Sequence, residues 1–345
     1  MEIIEELKAL CDLRGPSGFE DIPVAKAVEL MRDVCDEAYV DRFGNAVGVL
    51  RCGKPDAKKI LLDAHMDEIG FIVSGYDEGF LRFEGLGGAD QRMLPDREVM
   101  IMTEPPIFGV ITCQPPHILS EEDMDKSFEK KDLRIDVGLS GESAKKRIPV
   151  GTPITFRTEG FRLGKKLYCG KSIDDRGCFI ILLHAAGLLK KACAKGKLNA
   201  DVYLLGSKFE EVGGQGAMAG TFAIAPDECI AVDVTHGKTP DGGRTNEDVR
   251  IAAGPVIGFG PNCTRSMAKK FVEIAAAKKI PYQIDVMEGH SGTNGWSMQI
   301  CREGIPTEVI SLALKYMHTP YEVIHVDDIE SSAKLIAEYV LSKEA

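Results

Sequence analysis

The chain has 345 residues, 44% hydrophobic and 28% charged, with 42 Lys and Arg against 53 Asp and Glu for a formal charge of −11. That composition belongs to a globular chain long enough to bury a core without crosslinks, which excludes disorder and fibrous repeats. The acidity argues against duplex nucleic acid or an anionic membrane as partner, since both are gripped through basic faces.

Residues 2–13 space Ile3, Ile4, Leu7 and Leu10 along one helical face, and Gly15-Pro16-Ser17-Gly18 ends it. A second amphipathic helix is expected over 20–36, with Val24, Ala27, Val28, Leu30, Met31 and Val34 as its stripe. Short strands follow at Ala38–Asp41 and Ala46–Leu50, and Lys59–Asp63 reads as a buried strand of a parallel sheet. From about 70 to 160 the texture changes. Gly70–Ser74, Phe80–Phe83, Val99–Met102, Gly109–Thr112, Leu133–Val137 and Pro153–Thr158 alternate with Gly and Pro clusters, as in a small antiparallel barrel or sandwich. One helical piece is expected there, at Ser120–Lys131. After 170 the pattern predicts a buried helix at Asp175–Lys191, a strand at Ala200–Leu205, a short helix at Gly214–Phe222 and strands at Cys229–Val234 and Val256–Phe259. A helix at Arg265–Lys278, a strand at Gln283–Met287, a helix at Asn294–Arg302, a strand at Pro306–Ser311 and a final helix near 327–342 complete it. The reading is an α/β domain, 1–68 plus 161–345, interrupted by a β insertion at 69–160.

Ten Cys occur without a CxxC pair, most of them in apolar runs, which suits free buried thiols in a reducing, cytoplasmic setting. The acidic N-terminus does not read as a signal peptide, and the longest apolar stretch, Cys178–Leu189, is too short to span a bilayer.

Ligands of open α/β sheets bind beyond the carboxyl ends of strands. Titratable residues there are His65-Met66-Asp67-Glu68, Asp174-Asp175 at the start of the long helix, Glu210-Glu211, Asp233 and His318. Singly, each has a plain reading: His65 as a core histidine, Asp174-Asp175 as helix caps, Glu210-Glu211 as a solvated pair. Asp233 is harder to dismiss, because a carboxylate among Ile230, Ala231, Val232 and Val234 is costly unless paired or metal-bound. Together, two His and several carboxylates match what a pair of divalent metals requires. Asp67, two residues past His65, has the spacing to orient its imidazole.

The motifs LLDAHMDEIGFIV at 61–73, GKSIDDRGC at 170–178, FEEVGGQGA at 209–217, AVDVTHG at 231–237 and YMHTPYEVI at 316–324 run in order along the chain. With GVITCQPPHIL at 109–119 and LRIDVGLSG at 133–141, they resemble the tetrahedral (TET) and glutamyl aminopeptidases, co-catalytic metallopeptidases often labelled endoglucanase. The resemblance covers essentially the whole chain. It implies a phosphorylase/hydrolase-like three-layer αβα domain with an inserted PDZ-like antiparallel β-barrel domain. It implies two divalent metals per subunit, Zn²⁺ or Co²⁺ first and Mn²⁺ as a further choice. Asp174 would bridge them, His65 and Asp233 would complete one site, and Glu211 and His318 the other. Glu210 would be the general base toward a metal-activated water, and Asp67 would support His65. Peptides would be the substrates, and dimers formed through the insertion would assemble as a dodecamer.

The sequence departs from the family pattern at Asn294, where Asp is usual, at Trp296 (its only Trp), at Lys315, often Arg, and at Gly214-Gln215, where a bulkier residue and Arg are commoner. Rival readings are a metal-dependent deacylase or amidase on a non-peptide amide, a catalytically silent assembly module, and a glycosidase. The last has no use for the two His.

Overall fold

The computed structural model describes residues 2–120, 129–240 and 248–344. Two amphipathic helices, α1 (Ile3–Cys11) and α2 (Asp21–Val34), lead in, burying Ile3, Ile4, Leu7 and Leu10 of the first and Val24, Ala27, Val28 and Met31 of the second. The hairpin β1 (Glu37–Val40) and β2 (Ala46–Leu50) and strand β3 (Lys58–His65) follow.

The chain then leaves for a closed barrel. Its strands are β4 (Gly70–Asp77), β5 (Phe80–Leu86), β6 (Glu98–Ile101), β7 (Ile107–Thr112), β8 (Arg134–Asp136) and β9 (Pro153–Phe156), in the order β4-β5-β8-β7-β6-β9 with every pairing antiparallel. It has a core of its own, in which Phe71 meets the rings of Phe83 and Phe156 edge-on at 5.0 and 5.3 Å. The expected helix at Ser120–Lys131 falls mainly on 121–128, outside the described residues. Within them the barrel carries a helix not anticipated, α3 (Gly141–Arg147), capped by the Ser140 hydroxyl, with Lys145, Lys146 and Arg147 in its last turn, where the dipole favours cations.

After the barrel come β10 (Phe161–Leu163), β11 (Leu167–Gly170), α4 (Ile173–Cys193), β12 (Ala200–Ser207), α5 (Gln215–Ile224), β13 (Glu228–His236) and β14 (Val256–Phe259). Then follow α6 (Arg265–Lys278), β15 (Gln283–Val286), α7 (Gly295–Met298), β16 (Thr307–Leu314), β17 (Glu322–His325) and α8 (Val326–Leu341). Eight strands form one mixed sheet, β1-β2-β12-β3-β13-β16-β14-β15, parallel through its centre from β12 to β16. A second, antiparallel sheet, β10-β11-β17, was not read from the sequence, because its strands are only three or four residues long.

The central strands read as unbroken apolar runs because helices cover both faces of the sheet. Ile230, Val232 and Val234 of β13 pack with α1, α2, α4, α6 and α8, whereas Cys229 and Ala231 pack with α5 and α7. This is a three-layer αβα body carrying an inserted barrel. α7 is much shorter than the expected 294–302 helix. All ten Cys are free thiols.

Candidate metal centre

Five segments converge at the carboxyl edge of the parallel strands. His65 is the last residue of β3, Asp174 sits in the first turn of α4, Glu210 and Glu211 follow β12, Asp233 lies within β13, and His318 follows β16. α4 is broken at its start: Asp174 (φ −72°, ψ 104°) and Asp175 (φ −119°, ψ 20°) are not helical. The break lets the two neighbours point to different tasks. Asp175 Oδ2 accepts from the His65 amide at 3.0 Å, while Asp174 faces both histidines.

The geometry at Asp174 is two-sided. Its Oδ1 is 3.0 Å from His65 Nε2, and its Oδ2 is 3.4 Å from His318 Nε2. Two groups therefore share it, His65–Asp174–Asp233 and Asp174–Glu211–His318, the ligand atoms of each lying within 4.8 Å of one another. His318 Nε2 is also 3.4 Å from Glu211 Oε2. Glu210 Oε2 stands beside the first group, 3.8 Å from His65 Nε2, and belongs to neither. The structure thus brings His65, Asp174, Glu210, Glu211, Asp233 and His318 together.

Asp67 is fully buried and works on two segments at once. His65 Nδ1 lies 3.3 Å from its Oδ1, and it accepts from Ser17 Oγ (2.6 Å) and from the amides of Glu210 (3.0 Å) and Glu211 (3.2 Å). The same carboxylate thereby orients an imidazole and pins the Glu-Glu turn, whose preceding residue Phe209 is held at φ +63°.

Two groups at the site were missed in the sequence. Glu322, at the start of β17 and 2% exposed, accepts from the amides of Ile173, Asp174 and His318. The Gly88 carbonyl, which follows β5 of the barrel, accepts from or faces His318 Nδ1 at 2.7 Å. Glu322 carried a readable signal, a carboxylate opening an apolar strand; a backbone carbonyl carries none.

The site's charges are frustrated as they stand. Burial raises Glu210 to about 7 and Glu211 to about 8, with Asp174 adding its repulsion to both. Burial drives Asp233 and Asp175 well above the ordinary carboxylate range, helped by Glu210 and Asp233 respectively. Burial would lower the histidines, yet hydrogen bonds to Asp174 hold His65 well above its usual value and His318 at about 10. Asp174 is lowered: burial resists, but His318 and His65 together outweigh it. Among the described residues no Lys or Arg lines the cavity of about 430 Å³ over these groups. Imidazole nitrogens and carboxylate oxygens left with an acidic surplus fit divalent cations.

The wall of the cavity explains part of the departure at 214. A Cβ on Gly214, at φ +75°, would lie 2.9 Å from Ser297 Oγ and 3.0 Å from Asn294 Oδ1. Asn294 is fixed by donating to Asp63 Oδ2 (2.8 Å) and Ser207 Oγ (2.9 Å), so a bulkier residue at 214 has no room. Trp296 and His290 pack ring to ring at 4.3 Å on the same wall. Lys315 pairs through its backbone with Val323 and is not among the cavity-lining residues.

Comparison with known proteins agrees with the site. The sequence profile of the M42 glutamyl aminopeptidase family matches residues 44–335. A lysyl aminopeptidase of Pyrococcus furiosus is 32% identical over 338 residues, spanning 96% of this chain and 94% of the relative. An aminopeptidase structure from Desulfurococcus kamchatkensis superposes with a TM-score of 0.87 at 33% identity, over 99% of this chain and 95% of that one. The TET1 peptidase of Pyrococcus horikoshii, described as assembling into a tetrahedron or a large octahedral shell, gives 0.85 at 30% identity, over 99% and 100%. Match, fold and convergent ligand set agree: the chain belongs to the M42 glutamyl aminopeptidase family.

Proposed function

We propose that this peptide hydrolase is a dinuclear-metal aminopeptidase that removes N-terminal residues from peptides. The observation that carries the reading is the two-sided carboxylate of Asp174, 3.0 Å from one histidine and 3.4 Å from the other, so that two ligand groups share one residue. His65, Asp174 and Asp233 would hold one cation, and Asp174, Glu211 and His318 the other. Two such ions, when bound, supply Lewis acidity toward the scissile carbonyl and the attacking water.

The chain's own residues do the rest. Glu210, next to the ligands but outside both groups, takes the proton of the attacking water and delivers it to the leaving amine. Asp67 keeps that carboxylate aimed by holding its backbone amide while orienting His65. The cavity above admits the chain end, and its Trp296–His290 wall meets the departing residue's side chain. The insertion, taken as 69–160, would serve assembly into dimers and a dodecamer; that one TET1 structure is described as a dodecamer supports a large assembly. Ten free thiols suit the cytoplasm.

The test is a panel of aminoacyl chromogenic substrates with metal-stripped protein to which Zn²⁺, Co²⁺ or Mn²⁺ is returned. Cleavage of free-amine substrates restored by at least one ion is expected. Failure of every free-amine substrate with every ion, or cleavage of N-blocked amides alone, would overturn the reading in favour of a deacylase.

A further inference from the structure

Behind the ligands lies a carboxylate that, among the described residues, is paired with no Lys or Arg. Glu322 is 2% exposed, and every hydrogen bond recorded for its side chain is to a backbone amide. Oε2 accepts from Ile173 (2.8 Å) and Asp174 (3.1 Å), and Oε1 accepts from His318 (3.1 Å). The two amides on Oε2 lie at a helix start that Ser172, at φ +56°, does not cap with its side chain. The amide on Oε1 belongs to a residue held at φ +61°, in a segment with no regular structure between β16 and β17. One buried carboxylate therefore spans the shared ligand and one unshared ligand, which come from segments about 140 residues apart in sequence.

We propose that Glu322 is a positioning residue that fixes His318 relative to Asp174, so that occupancy of the Asp174–Glu211–His318 site depends on it. The inference rests on the dinuclear reading. Burying a lone carboxylate is expensive, and three amide donors offset that cost only while all three stay in place. The arrangement ties the distance between Asp174 and His318 to the 3.1 Å contacts on opposite oxygens of one rigid group. His65 is anchored separately through Asp67, and Asp233 by its strand, so the other site has supports that do not pass through Glu322.

Glu322→Gln separates the two sides. An amide has one oxygen, which satisfies the paired amides of Ile173 and Asp174 and turns its NH₂ toward the His318 N–H. Donor then faces donor on the His318 side alone. Co²⁺ titration of the metal-stripped protein, followed by visible absorption and by metal analysis, reads the sites individually. In the wild type two Co²⁺ per chain are expected. In Glu322→Gln one ion keeps wild-type affinity while the second weakens by about 10–100-fold, the usual effect of removing an outer support. Glu322→Asp, which keeps the charge but is too short to reach both sides, stands in should the amide variant fold poorly, and there the Asp174–Glu211–His318 ion is expected to weaken more than the other. Two ions bound with wild-type affinity in either folded variant, or equal weakening of both ions, overturns the assignment. Fewer than two ions in the wild type overturns the dinuclear reading first, and the assignment with it.

Discussion

At the scale of single residues the proposed function separates holding from reacting. Glu210 touches the ligand cluster at 3.8 Å without joining either group, so its removal should leave the cations in place. Glu210→Gln is expected to bind metal normally while kcat falls by roughly 10²–10⁴-fold, the ordinary worth of a general base. Metal analysis beside steady-state kinetics checks both halves, and near-normal turnover would remove Glu210 from its role. The histidines make a second prediction with a definite sign. In the absence of metal, and against burial, hydrogen bonds to Asp174 push His318 up to about 10 and hold His65 well above the usual imidazole range, which favours the protonated rings. A cation needs them neutral. Metal uptake should therefore expel protons, from the two imidazoles and also from the raised ligand carboxylates Glu211 and Asp233, and affinity should rise with pH across the neutral range. Calorimetry in buffers of different ionisation heat measures the release; binding heats that do not vary with the buffer would contradict it.

At the scale of elements, what was legible follows from where the chain's signals are local. Apolar runs at 59–63, 200–205 and 229–234 marked β3, β12 and β13, because strands covered on both faces need no polar alternation. The change of texture after 69 marked the barrel. The sheet β10-β11-β17 was not legible, since its pairings are long-range and its strands too short to carry a pattern. At the site, Asp233 stood out as an acid in an apolar strand. A weaker form of the same signal marked Asp63, Glu308 and Glu322, each opening onto or sitting within an apolar run. Glu308, on β16, shows what such an acid does to stability. Among the described residues it has no cationic partner, and burial pushes it up to about 8, against weaker pulls from the Val309 amide and the Cys263 thiol. Its folded value exceeds its unfolded value of 4.5, so its contribution is intact below pH 4.5 and is lost as pH rises through 8. Glu308→Gln should match the wild type near pH 5 and exceed it at pH 9, by on the order of 1–4 kcal/mol. Denaturant unfolding of both proteins, metal-loaded, at the two pH values tests this, and an unchanged difference would refute it.

At the scale of the whole molecule the question is which surfaces a single chain leaves unfinished. Among the described residues the large sheet ends at β15, which pairs only with β14, and its Ile284 and Val286 are exposed, Val286 by 74%. An uncovered edge strand with outward apolar residues invites pairing with another chain unless something covers it. The barrel adds Phe80, Phe108 and Val150 on its own outside. A chain with a formal charge of −11 repels its copies at long range, so specific apolar patches of this kind must supply the attraction that a closed assembly needs. A dodecamer of 37.6 kDa chains would have a mass of about 450 kDa, which light scattering separates from monomer or dimer without ambiguity. We expect the larger mass, and we expect the double substitution Ile284→Lys and Val286→Lys to shift it downward while cleavage of a short chromogenic substrate persists, because neither residue lines the metal-centre cavity. A wild-type chain that runs as a monomer would refute assembly. A doubly substituted chain that stays fully assembled would place the contacts elsewhere, with the barrel's Phe80, Phe108 and Val150 as the surface left to carry them.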